Sequence, residues 1–197
     1  LDRKLDNTQI TESYDAGTNL TTITLPYTID NTMKLVGKSG ASNKAGRDIT
    51  LASQTGSTIT VSGDITGFNY FIGEQYEFTY TFSQQYLALG QNTTGSRTRI
   101  REGRLQIRNW TVSFNDTGFF QSSVTPVGRD PSVATFTGTI VGTGLAGSVN
   151  LEDGDFTFAV QSRNENLTIT LTNNSHLPCN FVNAEWEGYY VSQASSS

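Results

Sequence analysis

Two carboxylates near the end of the chain have the spacing that hydrolysis of a glycosidic bond requires. Glu185 and Glu187 flank Trp186, and residues two apart on a β-strand project from one face, about 7 Å apart. Glycosidases hold their two carboxyl groups about 5 to 9.5 Å apart, and rings such as Trp186, Tyr189 and Tyr190 can stack on sugars. The interpretation that we favour is simpler: an exposed strand face, with the aromatic rings in the core.

Other candidates for catalysis or metal binding lack partners in the sequence. His176 and Cys179 are the single histidine and cysteine, and no G-x-S-x-G motif is present. We interpret them as a solvated loop histidine and a small buried apolar cysteine. The acidic stretch "EDGD", residues 152–155, could hold calcium, but a hairpin turn at Asp153–Gly154 explains it equally well. We therefore predict no enzymatic activity, no metal site and no cofactor.

Five arginines lie in the segment "RTRIREGRLQIR", residues 97–108. Because the chain carries a formal net charge of −5, this segment is its one candidate for contact with phosphates or an acidic partner. The alternative, which we favour, is that the charges protect an edge strand from pairing with other strands.

The segments that would position these residues alternate apolar and polar side chains with a period of two, as β-strands do. In "EQYEFTYTF", the rings of Tyr76, Phe78, Tyr80 and Phe82 share one face. Only 16% of the residues are charged, and the abundance of Gly, Thr, Ser and Asn disfavours helical bundles. We predict an all-β fold, an antiparallel β-sandwich or barrel with about a dozen strands and little or no helix.

Turn-forming residues suggest where the chain divides. We predict a small N-terminal β-unit in residues 1–66, a C-terminal β-sandwich in residues 67–191 and a disordered tail in residues 192–197. No apolar run approaches the length of about 18 residues that a membrane-spanning helix needs. Since the chain starts at Leu1 and contains a single methionine, Met33, we expect a fragment or a processed product of a longer protein.

One strand changes its apolar face midway. In "GRLQIRNWTVSFNDTGFF", residues 103–120, Leu105 and Ile107 lie on one face, but Trp110, Val112 and Phe114 lie on the other. Either a bulge shifts the register near Arg108, or the second half of the strand is buried elsewhere, against a neighbouring sheet or subunit. We expect the two apolar sets to lie in different environments.

Three segments carry a resemblance to a known family: "YFIGEQYEFTYTFSQQYL" (70–87), "EGRLQIRNWTVSFNDTGFF" (102–120) and "LPCNFVNAEWEGYY" (177–190). In this order they resemble the C-terminal part of tail tubular protein B, the nozzle family of short-tailed (podovirus) bacteriophages. The match covers roughly residues 69 to 190 in order and spacing. The motif residues that carry it are Gly73, Tyr76, Gly103, Arg104, Leu105, Trp110, Asp116, Gly118, Trp186, Glu187, Gly188 and Tyr190.

The resemblance implies a structural role in the virion. Nozzle proteins of this family form a six-fold ring below an adaptor ring, carry or border the tail fibres, and surround the channel through which DNA leaves. It implies a homo-hexamer that contacts the tail adaptor protein and the fibres, assembled in the host cytoplasm without membrane insertion. DNA would pass through without specific binding, since acidic surfaces repel it. The alternative that we carry is a carbohydrate-binding β-sandwich for attachment to the host surface.

Gly188 lies between Trp186 and Tyr190 on their strand face, where a larger side chain would be expected. Glycine inside a strand marks a bulge or the close approach of another group. We therefore predict that the ring of Trp186 folds over the backbone of Gly188 and closes the C-terminal sandwich.

Overall fold

The computed structural model describes residues 1–38, 45–89, 98–99, 103–138 and 150–192. Two compact units share the chain. The first unit comprises Leu1–Glu77, Gly138–Asn150 and Asn174–Pro178, and the second unit comprises Phe78–Thr137, Leu151–Asn173 and Cys179–Ser197.

Some of the predictions concern residues outside these ranges. Of the predicted tail, only Ser192 lies in the described part of the chain, and Arg97 and Arg101 lie outside it together with the side chain of Arg99. No helix in the described ranges is long and apolar enough to cross a membrane.

The first unit consists of two four-stranded antiparallel sheets, in the orders β1-β8-β4-β5 and β2-β3-β7-β6. A short 3-10 helix, Asn7–Gln9, follows its first strand. The strands are β1 Asp2–Asp6, β2 Thr11–Asp15, β3 Leu20–Thr24, β4 Met33–Gly37, β5 Asp48–Ile49, β6 Leu51–Thr55, β7 Thr58–Ser62 and β8 Tyr70–Glu74.

Side chains from both sheets form the first core, which is mostly aliphatic. Alternation places Ile59 and Val61 of β7 inward while their neighbours face outward. Thr21 is fully buried, and its hydroxyl donates to the carbonyl oxygen of Gly63 at 2.7 Å, so its polar atom is paired. The first core contains Ile23, Leu25, Met33, Leu35, Ile59, Val61, Ile65, Tyr70 and Ile72.

The second unit contains a three-stranded sheet, β15-β12-β17, a four-stranded sheet, β14-β13-β16-β9, and the short pair β10-β11. A 3-10 helix, Asn164–Asn166, connects two of its strands. Its strands are β9 Phe78–Thr81, β10 Ala88–Leu89, β11 Thr98–Arg99, β12 Arg104–Thr117, β13 Phe119–Pro126, β14 Ser132–Thr137, β15 Glu152–Arg163, β16 Leu167–Asn173 and β17 Phe181–Val191.

An aromatic core holds the two larger sheets of the second unit together. The ring of Phe120 is fully buried and stacks on Phe136, with ring centroids 5.1 Å apart. It also meets Phe114, Phe156 and Phe181 at steep angles, an arrangement that aromatic quadrupoles favour. The buried members are Ile107, Trp110, Val112, Phe114, Phe120, Val124, Phe158, Val160, Ile169 and Leu171.

The predicted fold class is confirmed: the described strand pairs are all antiparallel, and each unit has a sandwich-like core. The strands are more numerous than the dozen expected, since some contain only two residues. The boundary after residue 66 stays a prediction. Strand β8, Tyr70–Glu74, follows that boundary in the chain but pairs with β1 and β4 of the first unit.

The change of face in β12 is real, and its cause is a bulge. Pairing with both neighbouring strands shifts between Ile107 and Asn109. Arg108 is an extra residue relative to β17, whereas on β15 two residues, Val160 and Gln161, lie opposite it. Burial changes parity at the same point. The expectation of separate environments was wrong for Ile107, which lies in the aromatic core with Trp110, because the extra residue returns the apolar side chains to the same side.

The predicted hairpin turn at Asp153–Gly154 was also wrong. Both residues lie inside β15, where Gly154 pairs with Phe114 of β12 and Asp155 pairs with Ser113. An Asp-Gly pair is a strong local turn signal, but here pairing with the long strand β12 outweighs it.

Candidate functional site

The motif residues of the first segment lie in the first unit. Gly73 is buried in β8, and a Cβ atom there would lie 2.8 Å from the backbone carbonyl oxygen of Asp2. Only glycine allows β1 to approach this closely. Tyr76 follows the strand with 59% of its surface exposed.

The motif residues at the two ends of the second unit's sequence meet each other. Gly103 has a φ of +94°, and a Cβ atom there would lie 2.7 Å from the hydroxyl oxygen of Tyr190. Leu105 is buried and pairs with Tyr190 across β12 and β17. Arg104 is exposed and pairs with Val191. This contact joins the Gly103 segment to the closing segment of the chain.

The remaining motif residues of this segment lie within β12 and directly after it. Trp110 is buried in the aromatic core, with its ring centroid 4.7 Å from that of Phe82. Asp116 has a φ of +47°, and its backbone N–H donates to Oδ1 of Asp153 at 2.8 Å. Gly118 is the single residue between β12 and β13.

At Gly188 the close approach is real, but the approaching group is not the one predicted. A Cβ atom there would lie 2.4 Å from the carbonyl oxygen of Gln106, and the next nearest atoms also belong to β12. The ring of Trp186, which is half-buried against the aromatic core, is not among them. Glycine is needed at this position because the backbone of the neighbouring strand β12 leaves no room for a Cβ atom.

The carboxylates that suggested glycosidase chemistry line none of the clefts found in the described part of the chain. Glu185 and Glu187 are exposed and pair with Thr111 and Asn109, whose side chains point away from the aromatic core. Glu187 is the one of the two that belongs to the motif residues. Within the described ranges, no group of three or more His, Cys, Asp or Glu side chains could hold a metal ion.

His176 and Cys179 have separate structural surroundings. Nε2 of His176 lies 3.0 Å from the carbonyl oxygen of Gly46, within the first unit. Cys179 is half-buried against the aromatic core of the second unit, so it is less buried than predicted.

An apolar cleft of about 510 Å³ opens in the second unit. It lies between β9 and β17, and each of these strands is the last in its sheet among the described residues. The rings of Phe78, Tyr80 and Phe82 line one side, and Phe181 to Ala184 line the other. Tyr80 and Val182 remain 52% and 61% exposed.

The sequence analysis missed this cleft, although a signal was present. Phe181 and Val182 are adjacent in β17, and adjacent strand residues point to opposite faces. One of two adjacent apolar side chains must therefore leave the core. Of the four rings predicted to share a face, Phe78, Tyr80 and Phe82 line the cleft, whereas Tyr76 precedes β9 and does not. The exposed ring of Tyr80 shows that this face is only half covered.

The arginines of β12 do not protect a sheet edge. Arg104 and Arg108 lie on the central strand of the sheet β15-β12-β17, so the interpretation that we favoured was wrong for these two residues. We call the face of this sheet opposite the aromatic core the outer face. Nη1 of Arg108 donates to the hydroxyl oxygen of Tyr189 at 3.1 Å on that face, and Arg104 is exposed there.

The sequence profile of the bacteriophage nozzle proteins matches residues 1–197, the whole chain. The chain belongs to the bacteriophage nozzle protein family. The tail tubular protein gp12 of Escherichia phage T7 is 28% identical to it over 139 residues, which is 70% of this chain.

Family membership gives this nozzle chain a structural role in the bacteriophage tail. The matched region spans only 17% of the length of the T7 protein. The close backbone approaches at Gly73 and Gly188 and the burial of Trp110 are consistent with a structural role, since these residues fix how the strands pack.

Proposed function

We propose that this nozzle chain forms part of a six-fold ring that surrounds the channel through which phage DNA leaves. The observation that carries the proposal is the apolar cleft between β9 and β17. A cleft that exposes Tyr80 and Val182 between two sheet edges is a surface that another polypeptide of the tail would cover.

The proposed ring adjoins the tail adaptor protein and the tail fibres and assembles in the host cytoplasm. Repeated copies bury apolar surface against a neighbour in any closed ring. The formal net charge of −5 per copy favours a channel that DNA crosses without adhering, because like charges repel. The chain has no enzymatic role in this proposal.

Carbohydrate binding has less support from the geometry. A sugar-binding platform needs rings on one accessible face, but Tyr189 lies on the outer face while Trp186 packs against the aromatic core. The ring of Tyr190 is partly occupied by its contact with Gly103. These three rings therefore do not form a common platform.

The test combines the mass of the purified chain with electron microscopy of its particles. We expect a mass that rises with concentration toward that of a hexamer, with six-fold rings in the images. Val182→Lys places a charge in the apolar cleft and should reduce assembly strongly. Val133→Lys, at a similarly exposed position on β14, is the matched control and should assemble normally.

A second measurement uses the cysteine that lines the cleft. Cys179 should react with a maleimide in the isolated chain and be protected in purified tails. A monomeric mass at every concentration, together with equal reactivity of Cys179 in tails and in the isolated chain, would overturn the proposal.

A further inference from the structure

We infer that the second unit makes a head-to-tail contact between copies of this chain, in which a basic end of one copy binds an acidic patch of the next. The inference rests on the proposed function, because it specifies how neighbouring copies would recognise each other in the ring. It depends on where the charged residues of the sheet β15-β12-β17 lie.

The basic end consists of the arginines at one end of the second unit. Arg163 pairs with Gln106, which is exposed between two buried residues, so both side chains lie on the outer face. Arg163 and Arg129 also line a polar cleft of about 490 Å³, together with Gln106. We define the basic end as Arg104, Arg108, Arg129 and Arg163, the basic residues of the second unit whose side chains the structure describes.

The acidic patch lies farther along the same strands, beyond the bulge at Arg108. Asp155 pairs with Ser113, and Glu185 and Glu187 pair with Thr111 and Asn109. Asn183 also pairs with Ser113, and its side-chain amide donates to Oε1 of Glu185 at 3.0 Å, so Asp155 and Glu185 lie on the same face. We define the acidic patch as Asp155, Glu185 and Glu187, all of which are exposed.

Among the described residues of the second unit, these charges form no ion pair with one another. The ion pairs found within the described ranges involve Arg3, Lys34 and Lys38, all of which lie in the first unit. In the second unit, four arginines at one end and three carboxylates along the strands are available to a partner. Guanidinium groups bind carboxylates through paired, charge-assisted hydrogen bonds.

A second copy fits these surfaces better than DNA does. The complementary charge is present on the same chain, and every copy offers both surfaces. DNA would have to approach a chain whose formal net charge is −5, and long-range repulsion opposes this approach. The polar cleft is lined by amide groups as well as arginines, a composition that suits individual carboxylate side chains.

The symmetry of such a contact agrees with a ring. The basic end and the acidic patch are different surfaces, so a contact between them is heterologous, and heterologous contacts form closed rings when the rotation between copies permits. The contact should weaken in salt, because the screening length falls from about 10 Å at 0.1 M to about 3 Å at 1 M.

The experiment uses two charge-reversed variants of the full chain. The first carries Arg104→Glu, Arg108→Glu and Arg163→Glu, and the second carries Asp155→Lys, Glu185→Lys and Glu187→Lys. Each variant alone presents like charges to its neighbour, so its self-association should weaken at least about tenfold. An equal mixture restores the complementarity, and alternating copies can close a six-membered ring because six is even.

Controls separate the contact from folding. Circular dichroism and melting curves should be close to those of the wild type, since all six substituted side chains are exposed. Glu77→Lys, an exposed reversal in the first unit, should leave the association unchanged. Association of the mixture, measured by light scattering at low salt, should approach that of the wild type.

Several results would overturn the inference. They are wild-type association by either variant alone, a mixture no better than its components, and no salt-sensitive association of the wild type. If the arginine variant lost binding to duplex DNA but still assembled, DNA would be the partner of the basic end instead. Association of the mixture into particles that are not rings would contradict the proposed function and leave this contact standing.

Discussion

The first unit pairs its charges internally, whereas the second unit separates them on its surface. In the first unit, Glu74 is 3% exposed and accepts hydrogen bonds from Arg3, from the backbone N–H of Asp30 and from the side chain of Asn31. In the second unit, no ion pair occurs among the described residues. Arg104, Arg108 and Arg163 lie at one end of the outer face, and the acidic patch lies farther along it.

The two units also differ in the composition of their cores. The first core is mostly aliphatic, and the ring pairs found in the described structure lie in the second unit. Large rings bury much apolar surface per residue, so the second unit can be stable without internal ion pairs. The comparison indicates that a unit with a strong aromatic core can leave its charges available for partners.

The strongest test of this comparison removes a central ring of the aromatic core. We expect Phe120→Ala to lower the free energy of unfolding of the second unit by about 3–5 kcal/mol, through lost burial and the cavity left behind. Denaturant unfolding followed by tryptophan fluorescence measures this unit, because both tryptophans, Trp110 and Trp186, lie in it. Val133→Ala, at a 55% exposed position, should change the midpoint little.

Two glycines of the sheet β15-β12-β17 should respond with opposite signs. Gly188→Ala would force a Cβ atom against the carbonyl oxygen of Gln106 and should cost about 1–3 kcal/mol. At Gly154 the nearest atom to a new Cβ is 3.9 Å away, so Gly154→Ala should stabilise the strand by about 0.5–1 kcal/mol. Equal effects in fluorescence-monitored unfolding would contradict the backbone contact at Gly188.

The buried carboxylate of the first unit tests the other half of the comparison. Glu74→Gln keeps the shape but removes the charge that Arg3 contacts at 3.2 Å, and should cost about 1.5 kcal/mol. Lys34→Ala breaks the more exposed pair with Asp48 and should cost less than about 1 kcal/mol. Unfolding followed by far-ultraviolet circular dichroism would show both. A larger effect from Lys34→Ala would contradict the importance of burial.

Acidification should act on the first unit through exposed carboxylates. The ion-paired ammonium of Lys38 lowers the pKa of Asp6, the backbone N–H of Gly17 lowers that of Asp15, and the hydroxyl of Thr66 lowers that of Asp64. Because the folded pKa is below the unfolded value of about 3.9, their stabilisation is present above that value. It is lost as the pH falls through the folded pKa.

We expect a small decrease in the melting temperature of the first unit below about pH 4. Replacing all three residues by Asn should flatten this decrease while keeping an oxygen acceptor at each position. The measurement is a series of melting curves at falling pH, and an unchanged slope in the triple variant would assign the acid sensitivity to other groups.

The sequence alone determined the fold class and the face of most strands. Period-two alternation needs only neighbouring residues, so it predicted antiparallel sheets, the parity change near Arg108 and the shared face of Phe78, Tyr80 and Phe82. The glycine at position 188 also predicted a bulge or a close approach, which glycine inside a strand often marks. These signals depend only on residues close together in the chain, so a single sequence is enough to detect them.

Only the tertiary structure decided which group approaches which. The bulge places Ile107 in the same core as Trp110, and the backbone of β12 lies close against Gly188. The Asp153–Gly154 pair lies inside a strand instead of forming a turn. It also places the arginines of β12 on a central strand. The physical reason is that strand pairing joins residues far apart in the chain, and its many backbone hydrogen bonds and buried rings outweigh the preference of any short segment.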